Sequence, residues 1–203
     1  MKGLFNLARL RNFVAALFGS ALLVGAVPAV AAACASGAES SAFAQFGDNA
    51  EYTPIPSGSF EATAPGWSLS KATVVVGHDG YNLTAATHSL AIEPGGSAIS
   101  PPVCAQSTYP SFRFVVRQLS GTQSATLNVR VQWLNLLGLT ISASAGTTPN
   151  NNSWMPSPVM KLSQSLPLLG GLLGGLGLQV RLAFQASGGS FAIDNVYIDP
   201  RMR

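Results

Sequence analysis

Charged residues are scarce in this sequence. Asp, Glu, Lys and Arg together make up 9% of its 203 residues, whereas about a quarter is typical of soluble domains. The positive balance, 11 Lys and Arg against 8 Asp and Glu, depends on three basic residues in the first segment of the chain, Lys2, Arg9 and Arg11. Without them the charges balance, and the counterion release that drives nucleic-acid binding has no source. We therefore expect no nucleic-acid partner.

Residues with catalytic or metal-binding chemistry are also few. The only two histidines, His78 and His88, lack the close spacing of a zinc-binding pair. No H-E-x-x-H or G-x-S-x-G motif occurs. The sequence leaves open whether two carboxylates are paired for glycoside cleavage, because the distance between them that matters is in space and not along the chain. The sequence predicts a protein that is not an enzyme.

Cysteine occurs only twice, as Cys34 and Cys104. In an exported chain two cysteines favour one disulfide. It would close a loop of about 70 residues and contribute about 4 kcal/mol if unstrained. The alternatives are free thiols or lipidation of Cys34, although Ala31 stands where a lipoprotein signal favours Leu.

The longest uncharged apolar run lies near the N-terminus. Basic residues precede an apolar stretch over residues 13–27, and the small residues 29–33 provide cleavage sites before Ala32 or Cys34. The stretch is shorter than the about 20 residues of a membrane span, although an uncleaved anchor is the alternative. We predict a signal peptide over residues 1–33, secretion to the extracellular space, and no transmembrane span after cleavage.

The rest of the chain predicts β-structure. Residues 34–57 contain prolines and predict an extended N-terminal arm laid over the domain. Over residues 58–203 no helical period of 3.6 is sustained, and short stretches with alternating apolar residues are separated by Gly and Pro turns. We predict an all-β domain, an antiparallel jelly-roll β-sandwich of about eight or nine strands.

The last strands carry the most informative pattern. Residues 178–185 alternate, and the glycines in residues 186–190 predict a tight reversal. The apolar residues that follow change parity. A one-residue bulge near Asp194 would bring all of them to the core side, namely Phe191, Ile193, Val196 and Ile198.

Three short motifs together resemble the galactose-binding-like jelly rolls, which include many carbohydrate-binding modules. They are Gly58-Ser59-Phe60-Glu61, Gly66-Trp67 and Ile193-Asp194-Asn195-Val196. The sequence also resembles a group of secreted actinobacterial proteins, which share the opening motif, a cysteine after a Ser-Pro-rich turn and a final run like residues 193–200. The resemblance covers most of residues 45–200. It implies a non-catalytic module that binds extracellular or cell-wall carbohydrate.

The same resemblance implies a structural calcium ion held by Glu61 and Asp194. Calcium takes six to eight oxygen ligands, which two carboxylates, loop carbonyls and water can supply. Asn195 stands where many relatives have a second Asp. The alternative is that both acids only accept hydrogen bonds from turn amides or pair with an arginine.

A carbohydrate site needs aromatic rings that a sugar can reach. Trp67, Tyr81, Tyr109 and Trp154 lie near predicted turns, where they would either stack on a ligand or pack at the rim of the core. The polar faces of the clearest strands carry no aromatic residue and are either solvated or grip an acidic glycan. They comprise Arg113, Arg117, Arg130, Gln132, Gln179, Arg181 and Gln185.

The leucine-rich segment 166–177, LPLLGGLLGGLG, supports a second hypothesis. Its glycines and Pro167 disfavour a long helix, so we expect an apolar loop folded back on the end of the sandwich. Alternatively it contacts a membrane, the cell envelope or a partner. The chain would then be a structural or adhesive envelope protein without a small-molecule ligand.

Overall fold

Antiparallel strands make up most of the chain from residue 53 onwards. The computed structural model describes residues 37–61, 63–105, 111–135, 137–162 and 178–199. Within them lie one 3₁₀ turn, Ala44–Phe46, and nine strands, with no α-helix. The strands are β1 (Thr53–Pro54), β2 (Ser68–Val76), β3 (His88–Ile99), β4 (Val103–Ala105), β5 (Ser111–Leu134), β6 (Thr140–Thr147), β7 (Met155–Pro156), β8 (Met160–Lys161) and β9 (Leu178–Asp199). In this part of the chain no helix is long and apolar enough to cross a membrane.

All neighbouring strands run antiparallel. The order is β2-β3-β9-β5-β6, with β1 and β4 also paired to β9, and β7 and β8 paired to β5. The two longest strands, β5 and β9, pair with each other from Ser111↔Asp199 to Trp133↔Val180. They form a long ribbon on which the other strands assemble.

This ribbon folds over on itself to make two layers. The rings of Phe114 in β5 and Phe184 in β9 lie 5.0 Å apart. Phe114 stands next to Val115, whose register partner in β9 is Asp194. Ten residues of straight strand separate Asp194 from Phe184, a distance of over 30 Å at about 3.3 Å per residue. The two rings therefore meet across a core that lies between the two halves of the ribbon.

We name the two halves layer A and layer B. Layer A contains residues 111–118 of β5 and 191–199 of β9, with β1, β7 and β8. Layer B contains residues 126–134 of β5 and 178–186 of β9, with β4 and β6. Apolar side chains from both layers fill a single core. The predicted all-β antiparallel sandwich is confirmed.

The bend between the layers corrects a local prediction. Residues 186–190 do not reverse the chain, because β9 runs through them without interruption. Gly121 and Gly189 are register partners at the bend. A Cβ on Gly121 would lie 2.6 Å from the Cα of Gly189, and Gly121 has a φ of 112°. The glycines therefore permit two backbones to approach closely, and they do not form a turn.

The predicted bulge in β9 is confirmed. Arg113 pairs with Tyr197 and Val115 with Asp194, so β9 has one residue more than β5 between these two pairs. Asn195 takes a left-handed φ of 49° there. As predicted, the four apolar residues on either side of the bulge, Phe191, Ile193, Val196 and Ile198, all lie in the core.

The N-terminal segment packs on the outer face of layer A. Phe43 and Tyr52 are buried there against Val115 and Tyr197. Arg113 donates to Asp48 at 2.8 Å, and its guanidinium lies 4.8 Å from the centroid of the Phe43 ring. Arg113 is only 8% exposed. The expectation of a solvated face is therefore wrong at Arg113, because the arm covers it.

Several predictions involve residues outside the described ranges. They include the signal peptide, Tyr109 and the segment 166–177. Cys104 lies in β4, and none of the described cysteines is a free thiol. Its expected partner, Cys34, lies outside the described ranges, so the disulfide stays a prediction.

Candidate functional site

The bulge in β9 places two polar side chains under the loop between β2 and β3. Asp194 is fully buried and Asn195 is 2% exposed. The Asn195 Nδ2 donates to Oδ2 of Asp79 at 2.7 Å, and the Thr84 hydroxyl donates to Asn195 Oδ1 at 2.8 Å. These bonds tie the loop over residues 77–87 to the last strand.

Asp194 itself is only partly satisfied. Its Oδ1 accepts the backbone N–H of Asn195 at 2.7 Å, whereas Oδ2 is buried and has no hydrogen-bond partner within the described residues. Burial raises the pKa of Asp194, as does the neighbouring charge of Asp79, with a smaller contribution from Glu61. The hydrogen bond from the Asn195 N–H and the nearby backbone of Asp79 oppose the rise, and the resulting pKa is about 8. An orphaned acceptor of this kind suits a cation or a proton.

The fit to calcium rests mainly on this one carboxylate. Glu61 is exposed, but its charge acts on Asp194. Within the described residues no group of three or more His, Cys, Asp or Glu side chains could hold a metal ion. The unpaired Asp194 oxygen is one acceptor for such an ion, and most of the six to eight oxygens that calcium takes would have to come from backbone carbonyls and water. Such an ion would also neutralise the repulsion among the acids.

Trp67 lies in the core and not at the surface. It is 8% exposed, and its indole N–H donates to the carbonyl of Pro56 at 3.2 Å. Its ring lies 4.9 Å from Phe60 and 6.0 Å from Phe184. No ring face is available to a sugar, so Trp67 packs in the core and does not stack on a ligand.

Tyr81 and Trp154, by contrast, come together beside the buried network. The Tyr81 hydroxyl donates to the Trp154 carbonyl at 2.5 Å, and the Tyr81 N–H donates to Oδ1 of Asp79 at 2.7 Å. The guanidinium carbon of Arg117 lies 4.7 Å from the Trp154 ring centroid. All three side chains are half-buried. We name Tyr81, Trp154 and Arg117 the aromatic cluster.

The strands explain why this cluster is held in place. Trp154 immediately precedes β7, whose Met155 pairs with Val116 of β5, and Arg117 is the next residue of β5. The N–H of Gln118 donates to the carbonyl of Asn151 at 2.6 Å. The Tyr81 ring also meets Phe46 of the arm edge to face at 4.8 Å. The arm, the β2–β3 loop and the segment before β7 therefore converge on one place.

Arg117 has no acidic partner in the described part of the chain. The ion pair found there joins Arg113 to Asp48, whereas the guanidinium of Arg117 lies on the Trp154 ring. The ring quadrupole attracts the cation without neutralising it. The cluster thus combines two aromatic rings with a positive charge that no acidic side chain of the described residues neutralises.

Sequence reasoning missed Asp79, Thr84 and the role of Arg117. Asp79 and Asn195 are 116 residues apart in the chain, and no local pattern relates them. The turn-forming residues around Asp79 indicated a loop, but they did not show that this loop lies against the last strand. The sequence placed both Arg117 and Arg130 on polar strand faces, and it did not show that the bend of β5 puts them in different layers.

Comparisons with known proteins give no family. No family model and no curated protein matches the chain. Among solved structures, it is similar to the enzymatically active domain of bacteriophage CBA120 tailspike protein 4, with 19% identity, a TM-score of 0.48 and 70% of this chain covered. The chain spans 20% of that tailspike chain. The resemblance to secreted actinobacterial proteins is not supported by these findings.

Carbohydrate-binding modules are also among the similar structures. The CBM22-1 xylan-binding domain of Paenibacillus barcinonensis Xyn10C matches 68% of this chain and 88% of its own, with 15% identity and a TM-score of 0.48. A family 16 carbohydrate-binding module matches 72% and 99%, with 13% identity and a TM-score of 0.47. Because these TM-scores lie below 0.5, they carry no conclusion about what this chain binds.

Proposed function

We propose that this protein is a secreted, non-catalytic module that binds extracellular or cell-wall carbohydrate at the aromatic cluster. The observation that carries the proposal is the arrangement of Trp154, Tyr81 and Arg117. Binding sites for small ligands combine aromatic surface with a few convergent polar groups. The rings offer a platform for the apolar face of a sugar, and the guanidinium offers donors to hydroxyl or carboxylate oxygens.

Fixed geometry supports this assignment. A ring that is held before binding loses little conformational freedom when a ligand arrives. The Trp154 backbone is held by the adjacent pairing of β7 and by the Tyr81 hydroxyl, and its ring packs against the small core formed with the arm and against the Arg117 guanidinium. The positive charge of Arg117 favours acidic sugars over neutral ones.

Polysaccharide binding with site variants tests the proposal. The probes are insoluble xylan, galactan, cellulose and purified peptidoglycan, together with soluble pectin as an acidic glycan. We expect Trp154→Ala to lower affinity for the bound probe at least about tenfold, which corresponds to the loss of about 1.4 kcal/mol of contact between the ring and the sugar. Trp133→Ala is the matched control, because Trp133 is a half-buried tryptophan in layer B.

Two results would refute the carbohydrate proposal. One is a failure of the wild-type protein to retain any of these probes. The other is equal loss of binding in Trp154→Ala and Trp133→Ala with melting temperatures lowered alike, which would trace the effect to stability. Tyr81→Phe separates the contributions further, because it keeps the ring and removes only the hydroxyl bond to Trp154.

We also propose that Asp194 and Glu61 hold a structural calcium ion. The support is the buried, unpaired Oδ2 of Asp194 and the acidic groups around it. Calcium would stabilise the native state by binding it in preference to the unfolded chain. We expect the melting temperature to rise with calcium and fall with a chelator, and Asp194→Asn to abolish the difference. An identical melting temperature in both conditions, with no calcium binding by calorimetry, would exclude the ion.

A further inference from the structure

The hairpin that joins β5 to β6 exposes aliphatic side chains at its tip. Leu137 is 81% exposed, and the flanking side chains are exposed at 61% for Leu134, 59% for Leu139 and 37% for Ile141. One exposed aliphatic residue on a protein surface is ordinary, but a concentration of them marks an interaction site. Four such residues within eight positions of one hairpin form what we name the apolar tip.

Four backbone N–H groups of this tip find acceptors within it. The Asn135 side chain accepts the N–H groups of Leu137 and Leu139, both at 2.9 Å. The N–H of Gly138 donates to the Asn135 carbonyl at 3.0 Å, and that of Asn135 to the Leu139 carbonyl at 2.9 Å. An apolar medium penalises backbone groups that lack a partner. The tip can therefore enter such a medium without leaving these groups unpaired.

The charges around the tip have one sign. All eight acidic residues of the sequence lie in the arm, the loops before β3, the middle of β3 or layer A: Glu39, Asp48, Glu51, Glu61, Asp79, Glu93, Asp194 and Asp199. Layer B contains none. Arg130 and Arg181 are exposed on its outer face, and Arg181 pairs with Gln132, two residues before Leu134. Cations alone therefore adjoin the apolar tip.

We propose that the apolar tip docks layer B onto an anionic lipid bilayer. Interfacial binding gains from burying aliphatic side chains at the boundary between headgroups and acyl chains, and from attraction between cations and anionic headgroups. The tip supplies the first contribution, and Arg130 and Arg181 supply the second. This surface is separate from the aromatic cluster, which lies on layer A, and the inference does not depend on carbohydrate binding.

Vesicle co-sedimentation with the full mature chain tests this inference. The probes are vesicles of phosphatidylglycerol and phosphatidylcholine in equal parts, and vesicles of phosphatidylcholine alone. We expect binding to the anionic vesicles that weakens as salt rises. Leu137→Asp should lower it at least about tenfold, and Arg181→Gln should lower both the affinity and its salt dependence.

Val76→Asp is the matched control, because Val76 is 83% exposed but lies in β2, on the opposite edge of the sheet. It should bind as the wild type does. Both substitutions change exposed side chains, and equal melting temperatures would show that the fold is intact.

Other occupants of the tip would overturn the inference. One such result is the absence of vesicle binding at low salt together with a dimer that Leu137→Asp dissociates, since the tip would then bind a second copy. Another is binding that appears only after removal of residues 166–177, which would show that this segment covers the tip. Equal vesicle binding by wild type and Leu137→Asp would exclude the tip as the docking surface.

Discussion

Burial and the negative charge of Asp79 both raise the pKa of Asp194. Removal from water disfavours the carboxylate, and Asp79 disfavours it further. The bulge explains why an acid is tolerated there, because it turns Asp194 and Asn195 away from the apolar core and towards the β2–β3 loop. The sequence predicted the bulge and its position near Asp194, since the apolar residues change parity there. It could not indicate Asp79, whose position depends on how a distant loop folds.

The raised pKa of Asp194 predicts a pH-dependent stability in the metal-free protein. The folded-state pKa is about 8, above the ordinary value of 3.8, so the native state binds the proton more tightly than the unfolded chain. Stability should fall as pH rises from about 4 to about 8 and level off above that range. The limiting slope for one group is about 1.4 kcal/mol per pH unit.

Urea denaturation across this pH range, with a chelator present, measures the effect. Asp194→Asn should flatten the dependence, because the amide does not titrate. Asp48→Asn is a useful contrast. Burial raises the pKa of Asp48, but hydrogen bonds from Tyr52, Arg113 and Ala50 outweigh it and lower the pKa, so this carboxylate loses its stabilising effect as pH falls. Parallel profiles for wild type and Asp194→Asn would contradict the prediction.

Among the secondary-structure elements, the glycine pair in the middle of β9 was the main source of error. Alternating apolar residues correctly predicted the strand segment 178–185. The glycines in residues 186–190 then predicted a tight reversal, whereas β9 continues through them. Glycine allows both a tight turn and a close approach of two strands. Which of the two occurs is decided by the partner strand, and the local sequence does not contain that information.

The close approach of Gly121 to Gly189 predicts a specific cost for a methyl group at the bend. Gly121→Ala combines backbone strain at φ 112° with a clash against β9. Gly77→Ala is the matched control, since Gly77 has a φ of 115° and no atom within 4 Å of the added Cβ. Strain alone costs on the order of 1–3 kcal/mol. We expect Gly121→Ala to lower the free energy of unfolding by at least about 1 kcal/mol more than Gly77→Ala.

Denaturant titration of the two glycine variants gives this difference directly. Equal destabilisation would mean that the ribbon relaxes around the methyl group. The bend would then not depend on the absence of a side chain at position 121.

In the whole molecule, the two outer faces of the sandwich differ. Layer A is covered by the arm and the loop over residues 77–87, which form a second small core around Phe43, Tyr52 and Tyr197. Layer B leaves Arg130 and Arg181 exposed. Strand periodicity predicted polar outer faces for both layers. It could not distinguish them, because the burial of Arg113 depends on Asp48, 65 residues away.

This arrangement predicts that the arm can detach while the sandwich stays folded. Phe43 packs against Tyr52 at 5.2 Å and Tyr197 at 5.6 Å, outside the main core. Phe43→Ala should remove about 3–5 kcal/mol of local packing. It should release the part of the arm before β1, residues 37–52, to proteolysis. Phe184→Ala, at an equally buried phenylalanine of the main core, should lower the stability of the whole domain.

Limited proteolysis with mass spectrometry distinguishes local from global unfolding. Local opening gives a trimmed, resistant sandwich, whereas global unfolding gives complete digestion. Complete digestion of Phe43→Ala without a trimmed product would show that the arm and the sandwich unfold as one unit, with the aromatic cluster disrupted in the same transition.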